Sequence, residues 1–157
     1  MVSIRIAHCD DVAQIEVCAR AAYQKYVERI GRAPAPMIAD FAALVSRQVL
    51  WVAVDERQVI GYAVFYPRDR FMHLENVAVS PHRQGEGIGR QLIALVEDDA
   101  RERGLDGVEL YTNERMTENQ QLYPALGYTE LGRAEEAGFQ RVYYRKAFAG
   151  NGDGPDR

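Results

Sequence analysis

At 157 residues, with 47% apolar and 27% charged positions, the chain has the size and composition of one soluble domain with a sizeable core. A formal net charge of −4, with Arg residues scattered singly, excludes the basic stripe that marks a nucleic-acid partner. No window approaches the ~20 apolar residues needed to span a bilayer, and Arg5, His8, Asp10 and Asp11 interrupt any signal-peptide pattern, so a cytoplasmic protein with no membrane partner is expected.

Ile4-Arg5-Ile6 reads as a short strand. Asp11 with Gln14 three residues on suggests a capping box, opening a helix in which Val12, Ile15, Ala19, Ala22, Tyr23 and Tyr26 recur at helical spacing. Cys9 and Cys18 in this region have no CxxC spacing and no clustered His, so reduced thiols are expected and no metal. Gly31 to Pro36 breaks the pattern, and a second helix is expected over Ile38 to Val45. Strands follow at Val49–Val54 and Val59–Tyr66, joined by the polar turn Asp55 to Gln58, then at Met72–Val79.

A helix with Ile88, Leu92, Leu95, Val96 and Ala100 on one face and Glu97, Asp98, Asp99, Arg101 and Glu102 on the other ends at Gly104. Gly107–Tyr111 is the next strand. Thr117 and Gln120 suggest another capping box, on a short helix stopping at Gly127, and strands at Tyr128–Gly132 and Gln140–Phe148 follow. One domain over 1–149 and a disordered tail over 150–157 are expected, since the tail has nothing apolar to pack.

The stretch Val77-Ala78-Val79-Ser80-Pro81-His82-Arg83-Gln84-Gly85-Glu86-Gly87-Ile88-Gly89-Arg90 joins an apolar strand, a Pro-marked turn and three alternating glycines to a helix start. Glycines allow close backbone approach and a helix start leaves N–H groups without acceptors, which together make an anion site suited to phosphate. A Walker A loop needs Lys-Ser/Thr after its last glycine, where this chain has Arg90-Gln91. A dinucleotide fingerprint counted from Gly85 needs glycine at its sixth position, which is Arg90.

Gln84-x-x-Gly87-x-Gly89 after a Val-x-Val strand and Ser-Pro resembles the acetyl-CoA loop of the GCN5-related N-acetyltransferases. Asn119-Gln-Gln-Leu122-Tyr123-Pro-Ala-Leu126-Gly127-Tyr128 is similar to the family's second motif, and Gly31-Arg32-Ala33-Pro34-Ala35-Pro36-Met37 resembles a small bacterial-type branch. The resemblance covers about residues 3 to 148. It implies an α+β fold: a central mixed, mostly antiparallel sheet of about seven strands, splayed between the fourth and fifth, flanked by about four helices.

It also implies acetyl transfer from acetyl-CoA, the co-substrate, to a primary amine by direct transfer in a ternary complex. A small-molecule acceptor is slightly favoured over a protein amine, and a homodimer is an option. The other function open at this point is a non-catalytic acyl-CoA-binding sensor or interaction module. By resemblance, the amides of Gln84, Gly85, Glu86, Gly87, Ile88, Gly89 and Arg90 cradle the pyrophosphate, with His82, Arg83 and Arg90 offsetting the charge of Glu86. Val77, Ala78 and Val79 lie along pantetheine, which pairs with their strand, and an amide there polarises the acetyl carbonyl.

Glu75, the one acid in an apolar strand, is the expected general base, with proton affinity raised by its place near the sheet centre. His73 is a weaker candidate. Tyr123 matches the tyrosine that protonates the departing thiolate, and Asn119 bonds pantetheine or fixes Tyr123. Pro124 should kink or fray that helix. The acceptor would meet Tyr23, Tyr26, Arg29 and the Pro34–Pro36 corner, with Arg133 to Phe139 as a flap.

Overall fold

The alternating and helical patterns resolve into seven strands and four helices across residues 1–149, the part of the chain that this computed structural model describes. The tail expected at 150–157 lies outside the described residues. In chain order the elements are β1 (Ser3–Ile6), α1 (Val12–Ile30), α2 (Phe41–Ser46), β2 (Leu50–Asp55), β3 (Gln58–Arg68), β4 (Phe71–Val79), α3 (Ile88–Glu102), β5 (Gly107–Asn113), α4 (Thr117–Ala125), β6 (Thr129–Glu136) and β7 (Phe139–Ala147). They gather into two compact units, one of Met1–Tyr66 with Leu74–Leu95 and one of Pro67–His73 with Val96 onward. The division falls inside β3, between Tyr66 and Pro67, inside β4, between His73 and Leu74, and inside α3, between Leu95 and Val96.

In the first unit the strands run in the order β1-β2-β3-β4, with β1, β2 and β3 paired antiparallel. The β2–β3 turn carries Glu56 and Arg57 at φ 50° and 68°, the left-handed pair that suits the twist of a two-residue hairpin. Ile15, Cys18, Ala19, Ala22, Tyr23 and Tyr26 form the buried stripe of α1, as the helical spacing predicts. The expected Asp11–Gln14 capping box does not form. The Asp11 carboxylate accepts two hydrogen bonds from the Arg5 guanidinium at 2.8 and 3.0 Å and one from the His8 amide at 2.7 Å. Gln14 instead bridges to the hairpin, accepting from Val59 N–H at 2.8 Å. Arg5, followed by the His8 amide, holds the Asp11 carboxyl below its usual range despite the opposing effect of burial.

The second helix begins later than expected. Ala35–Ile38 is a 3-10 turn, and α2 starts behind Asp40, whose carboxylate accepts from Ala43 N–H at 3.1 Å. Cys9 is exposed and Cys18 buried, the Cys18 sulfur lying 3.5 Å from Ser80 Oγ. Burial pushes the Cys18 thiol up.

In the second unit β7 lies between β5 and β6, antiparallel to both. Arg133 to Glu136, expected to belong to a flap, continue β6 instead, and the chain turns at Ala137-Gly138 with φ 53° and 80°. The Thr117–Gln120 capping box is also absent: α4 starts behind Met116, and Gln120 donates to the Glu114 carbonyl at 2.6 Å. Glu97, read as solvent-facing on α3, is buried. It accepts from the Tyr128 hydroxyl at 2.9 Å and from Lys146 at 3.0 Å.

Candidate active site

The end of β4 and the turn after it build the loop. Ser80 N–H donates to the Ile60 carbonyl of β3 at 2.8 Å. Since strand residues alternate their backbone groups between edges, Val77 and Val79 direct theirs to the edge away from β3. Both carbonyls on that edge already accept a side-chain donor. Tyr23 Oη donates to Val77 at 3.0 Å, and Gln84 Nε2 to Val79 at 3.1 Å. Ala78 is buried between these two positions.

A 3-10 turn over Pro81–Arg83 leads into the glycines, and Gly85 and Gly87 both stand at φ +86°, the left-handed conformation that favours glycine. Gln91 N–H finds the Gly87 carbonyl at 3.0 Å, so the amides of Ile88, Gly89 and Arg90 open the helix with no carbonyl ahead of them. A side chain at Gly85 or Gly87 would meet nothing within 4 Å, and one at Gly89 would meet only Val79 Cγ2 at 3.7 Å. Packing inside the protein does not require three glycines; the open space over these amides is what they provide. Ile88 is buried and contributes its amide alone, whereas Gln84, Glu86 and Arg90 are exposed.

The acidic Glu86 is drawn aside by Arg83, whose Nε lies 3.0–3.1 Å from both carboxylate oxygens. Arg83 also donates to Asp55 at 3.0 Å, and Asp55 in turn accepts from the Met1 ammonium at 3.0 Å. Arg83 thereby lowers the Glu86 carboxyl below its ordinary range. Of the cations expected to offset Glu86, Arg83 does so by direct pairing.

Glu75 lies half-buried on β4 and its Oε1 accepts from the Tyr66 hydroxyl at 2.7 Å. Oε2 has no hydrogen-bond partner among the described residues, so one oxygen is oriented and the other available. Next to it is a residue that no sequence motif marks. Buried Asn76 accepts from Tyr23 Oη at 2.8 Å and donates to the Pro36 carbonyl at 3.2 Å. Tyr23, expected at the acceptor entrance, is thus buried with its hydroxyl holding β4. Tyr26 is buried with Lys25 and Arg29 each 5.1 Å over its ring, and Arg29 itself is exposed. A polar Asn beside Glu75 in an apolar strand was the signal that could have found this anchor.

In the second unit Tyr123 is buried on α4, its ring 5.7 Å from those of Tyr128 and Tyr144. The predicted kink at Pro124 becomes a helix end. Tyr128 N–H donates to Tyr123 O and Gly127 N–H to Pro124 O, each at 3.0 Å, around Gly127 at φ +96°. Pro124 sits in that last turn, where it forfeits the one hydrogen bond to the Gln120 carbonyl and little helix remains beyond it to be broken. Lys146 closes the cap by donating to the Leu126 carbonyl at 2.9 Å while paired to Glu97. Asn119 donates to Thr112 Oγ1 of β5 at 3.0 Å, fixing α4 to its own sheet.

His73 is buried against Tyr111, ring centroids 5.9 Å apart. Burial, and secondarily the charge of Arg68, push its imidazole down to about 4. His73 is therefore neutral near pH 7 and a weak base, which leaves Glu75 as the stronger candidate. The ordinary value is 6.5, so between about pH 6.5 and 4 the unfolded chain binds a proton that the folded one does not. Stability should be fully present above that window and fall as pH drops through it. A melting series at fixed ionic strength should show this, and His73→Gln should flatten that step.

No group of three or more His, Cys, Asp or Glu side chains among the described residues is placed to hold a metal ion, and no described helix is long and apolar enough to cross a membrane. The model of the acetyltransferase (GNAT) family matches residues 14–128, across both units, and the chain belongs to that family. A bovine thialysine N-epsilon-acetyltransferase is 32% identical over 82 residues, which are 49% of this chain and 48% of that protein. The chain thus spans about half the length of this curated relative.

Two solved structures share the fold. PaiA N-acetyltransferase from Thermoplasma acidophilum, in complex with coenzyme A, superimposes with TM-score 0.78 at 12% identity, covering 94% of this chain and 99% of that one. The ribosomal-protein-S18-alanine N-acetyltransferase from Escherichia coli gives 0.75 at 17% identity, covering 97% and 98%. The α+β acetyltransferase fold expected from the glycine and Asn119–Tyr123 motifs is the fold of this chain.

Proposed function

We propose that this protein transfers the acetyl group of acetyl-CoA to a primary amine directly, within a ternary complex. The observation that carries the reading is the loop: left-handed Gly85 and Gly87, acceptor-free amides at the start of α3, and open space above them. This suits a pyrophosphate, whose charge the helix dipole favours by ~0.3–1 kcal/mol when exposed. The coenzyme A in the Thermoplasma relative supports the same ligand here.

Acetyl-CoA supplies an activated thioester carbonyl, and the chain's residues do the rest. The amides of Val77 and Val79 suit carbonyl oxygens of the acetyl and pantetheine groups. Glu75, oriented by Tyr66, takes the proton from the attacking amine through Oε2 or an intervening water. Tyr123 protonates the departing thiolate, on a helix whose end Lys146 and Gly127 hold. Neither cysteine is needed as a nucleophile: Cys9 is remote in sequence from the loop and Cys18 is buried with its thiol raised.

The thialysine-acetylating relative supports a small-molecule acceptor, while the ribosomal-protein-acetylating one keeps protein amines in view. A homodimer belongs to the proposal on the resemblance alone, and a cytoplasmic location on the sequence pattern alone. The test pairs calorimetry of coenzyme A binding with thiol release from acetyl-CoA across a panel of amines. Binding with turnover supports the reading. Binding without turnover of any small amine or peptide points to a coenzyme A sensor, and no binding removes the loop assignment.

A further inference from the structure

The glycine turn contains a residue that a phosphate site would be expected to avoid. Glu86 sits between Gly85 and Gly87, in the middle of the segment whose amides suit an anion. A carboxylate there repels pyrophosphate unless its contacts make it useful in some other way.

Glu86 is held by both of its oxygens. Arg83 Nε lies 3.1 Å from Oε1 and 3.0 Å from Oε2, and the Arg83 Nη2 lies 3.0 Å from Oε1. The same Nη2 donates at 3.0 Å to Oδ2 of Asp55, the last residue of β2. The Arg83 and Asp55 side chains are only 23% and 17% exposed, so water screens their end of the cluster weakly. An isolated surface ion pair contributes little, but a forked guanidinium–carboxylate pair within a network holds its geometry.

The turn needs such a tether. Gly85 and Gly87 both stand at φ +86°, and glycine has more backbone freedom to lose than any other residue. A Cβ at either position would meet nothing within 4 Å, so packing does not confine them. Backbone pairing cannot confine them either, because amides that bind a ligand are not bonded within the protein. The Glu86 side chain remains. It folds back three residues onto Arg83, which Asp55 holds from 28 residues away.

We propose that Glu86, an anion inside an anion site, favours coenzyme A binding, because its pair with Arg83 holds the glycine turn in the shape that the pyrophosphate needs. Arg83 and Asp55 are then positioning residues of the coenzyme site, and the β2–β3 hairpin is part of its support. The proposal rests on the reading of the loop as a pyrophosphate cradle.

Simple repulsion predicts that removing a negative charge beside a bound anion tightens binding; here removal should weaken it. Calorimetry of coenzyme A should show affinity lowered about two- to fivefold by Glu86→Gln and by Asp55→Asn, the range of a networked ion pair, with the melting temperature nearly level. Glu56→Gln removes a charge from the same hairpin without touching the cluster and should leave affinity unchanged or slightly higher. Arg83→Lys keeps the charge but not the fork, and should weaken binding severalfold. Arg83→Gln should cost about tenfold or more, since it also leaves Glu86 unpaired beside the pyrophosphate, and adding Glu86→Gln to it should recover part of that loss. Tighter or unchanged binding by Glu86→Gln or Asp55→Asn would overturn the proposal and leave the loop assignment standing. So would a double variant whose loss is the product of the two single losses, the result expected if Arg83 held the phosphate itself. Wild-type protein that binds no coenzyme A would overturn the loop assignment, and this proposal with it.

Discussion

Replacing Glu75 by Gln should lower kcat for acetyl transfer about 10²- to 10⁴-fold, the usual contribution of a positioned general base. That loss corresponds to roughly 2.7–5.5 kcal/mol of barrier. The amide oxygen of Gln can still accept the Tyr66 hydroxyl that holds Glu75 Oε1 at 2.7 Å, so the fold and the orientation should survive. Proton acceptance alone is lost. Coenzyme A affinity, measured by calorimetry, should stay within about twofold, since the change removes no donor from the loop. An unchanged kcat would take Glu75 out of the proton path and leave a water, or the substrate itself, to lose the proton unaided.

Gly87→Val should weaken coenzyme A at least about 100-fold. Two effects combine. Gly87 stands at φ +86°, where a β-branched residue is strained by about 1–2 kcal/mol or more, and Val would also place methyl groups in the open space over the helix-start amides. The loop is exposed, so a relaxed backbone should limit the loss of melting temperature more than the loss of binding. Gly89→Ala separates the two effects, because its added methyl meets only Val79 Cγ2 at an ordinary 3.7 Å. If that variant folds and binds normally, pyrophosphate does not approach the helix as closely as proposed.

The loop and the elements around it were legible in the sequence because local chemistry decides them. Three alternating glycines before an amphipathic run need no distant partner to act as a helix-start anion site. The capping boxes were not legible, because the competitors for those side chains lie outside the helices they would cap. Asp11 is drawn to Arg5 of β1, and Gln14 to Val59, 45 residues away. Glu97 reads as a solvent-facing acid on any helical wheel, and only Tyr128 and Lys146, brought together by the fold, account for its burial. The sequence pattern predicts a strand only over Tyr128–Gly132, whereas β6 runs on to Glu136; its exposed charges are paired along the strand, as with Arg133 and Glu130 at 3.1 Å, and across to β7, as with Glu136 and Arg141 at 3.4 Å. Of the candidate site, the backbone part was readable and the supporting side chains, Tyr66 and Asn76, were not. Each of these owes its meaning to a neighbour on another strand or helix.

The contrast between the two cysteines makes the protein its own reporter of partial opening. Cys9 should react with a thiol reagent at once, while Cys18, buried against Ser80 with its thiolate disfavoured, reacts only when α1 lifts away from the turn after β4. The slow phase of labelling therefore measures how often that part of the first unit comes apart. The same phase should lengthen if coenzyme A binding steadies the strand end and the glycine turn, so one reagent can follow both the breathing of the fold and the arrival of the ligand.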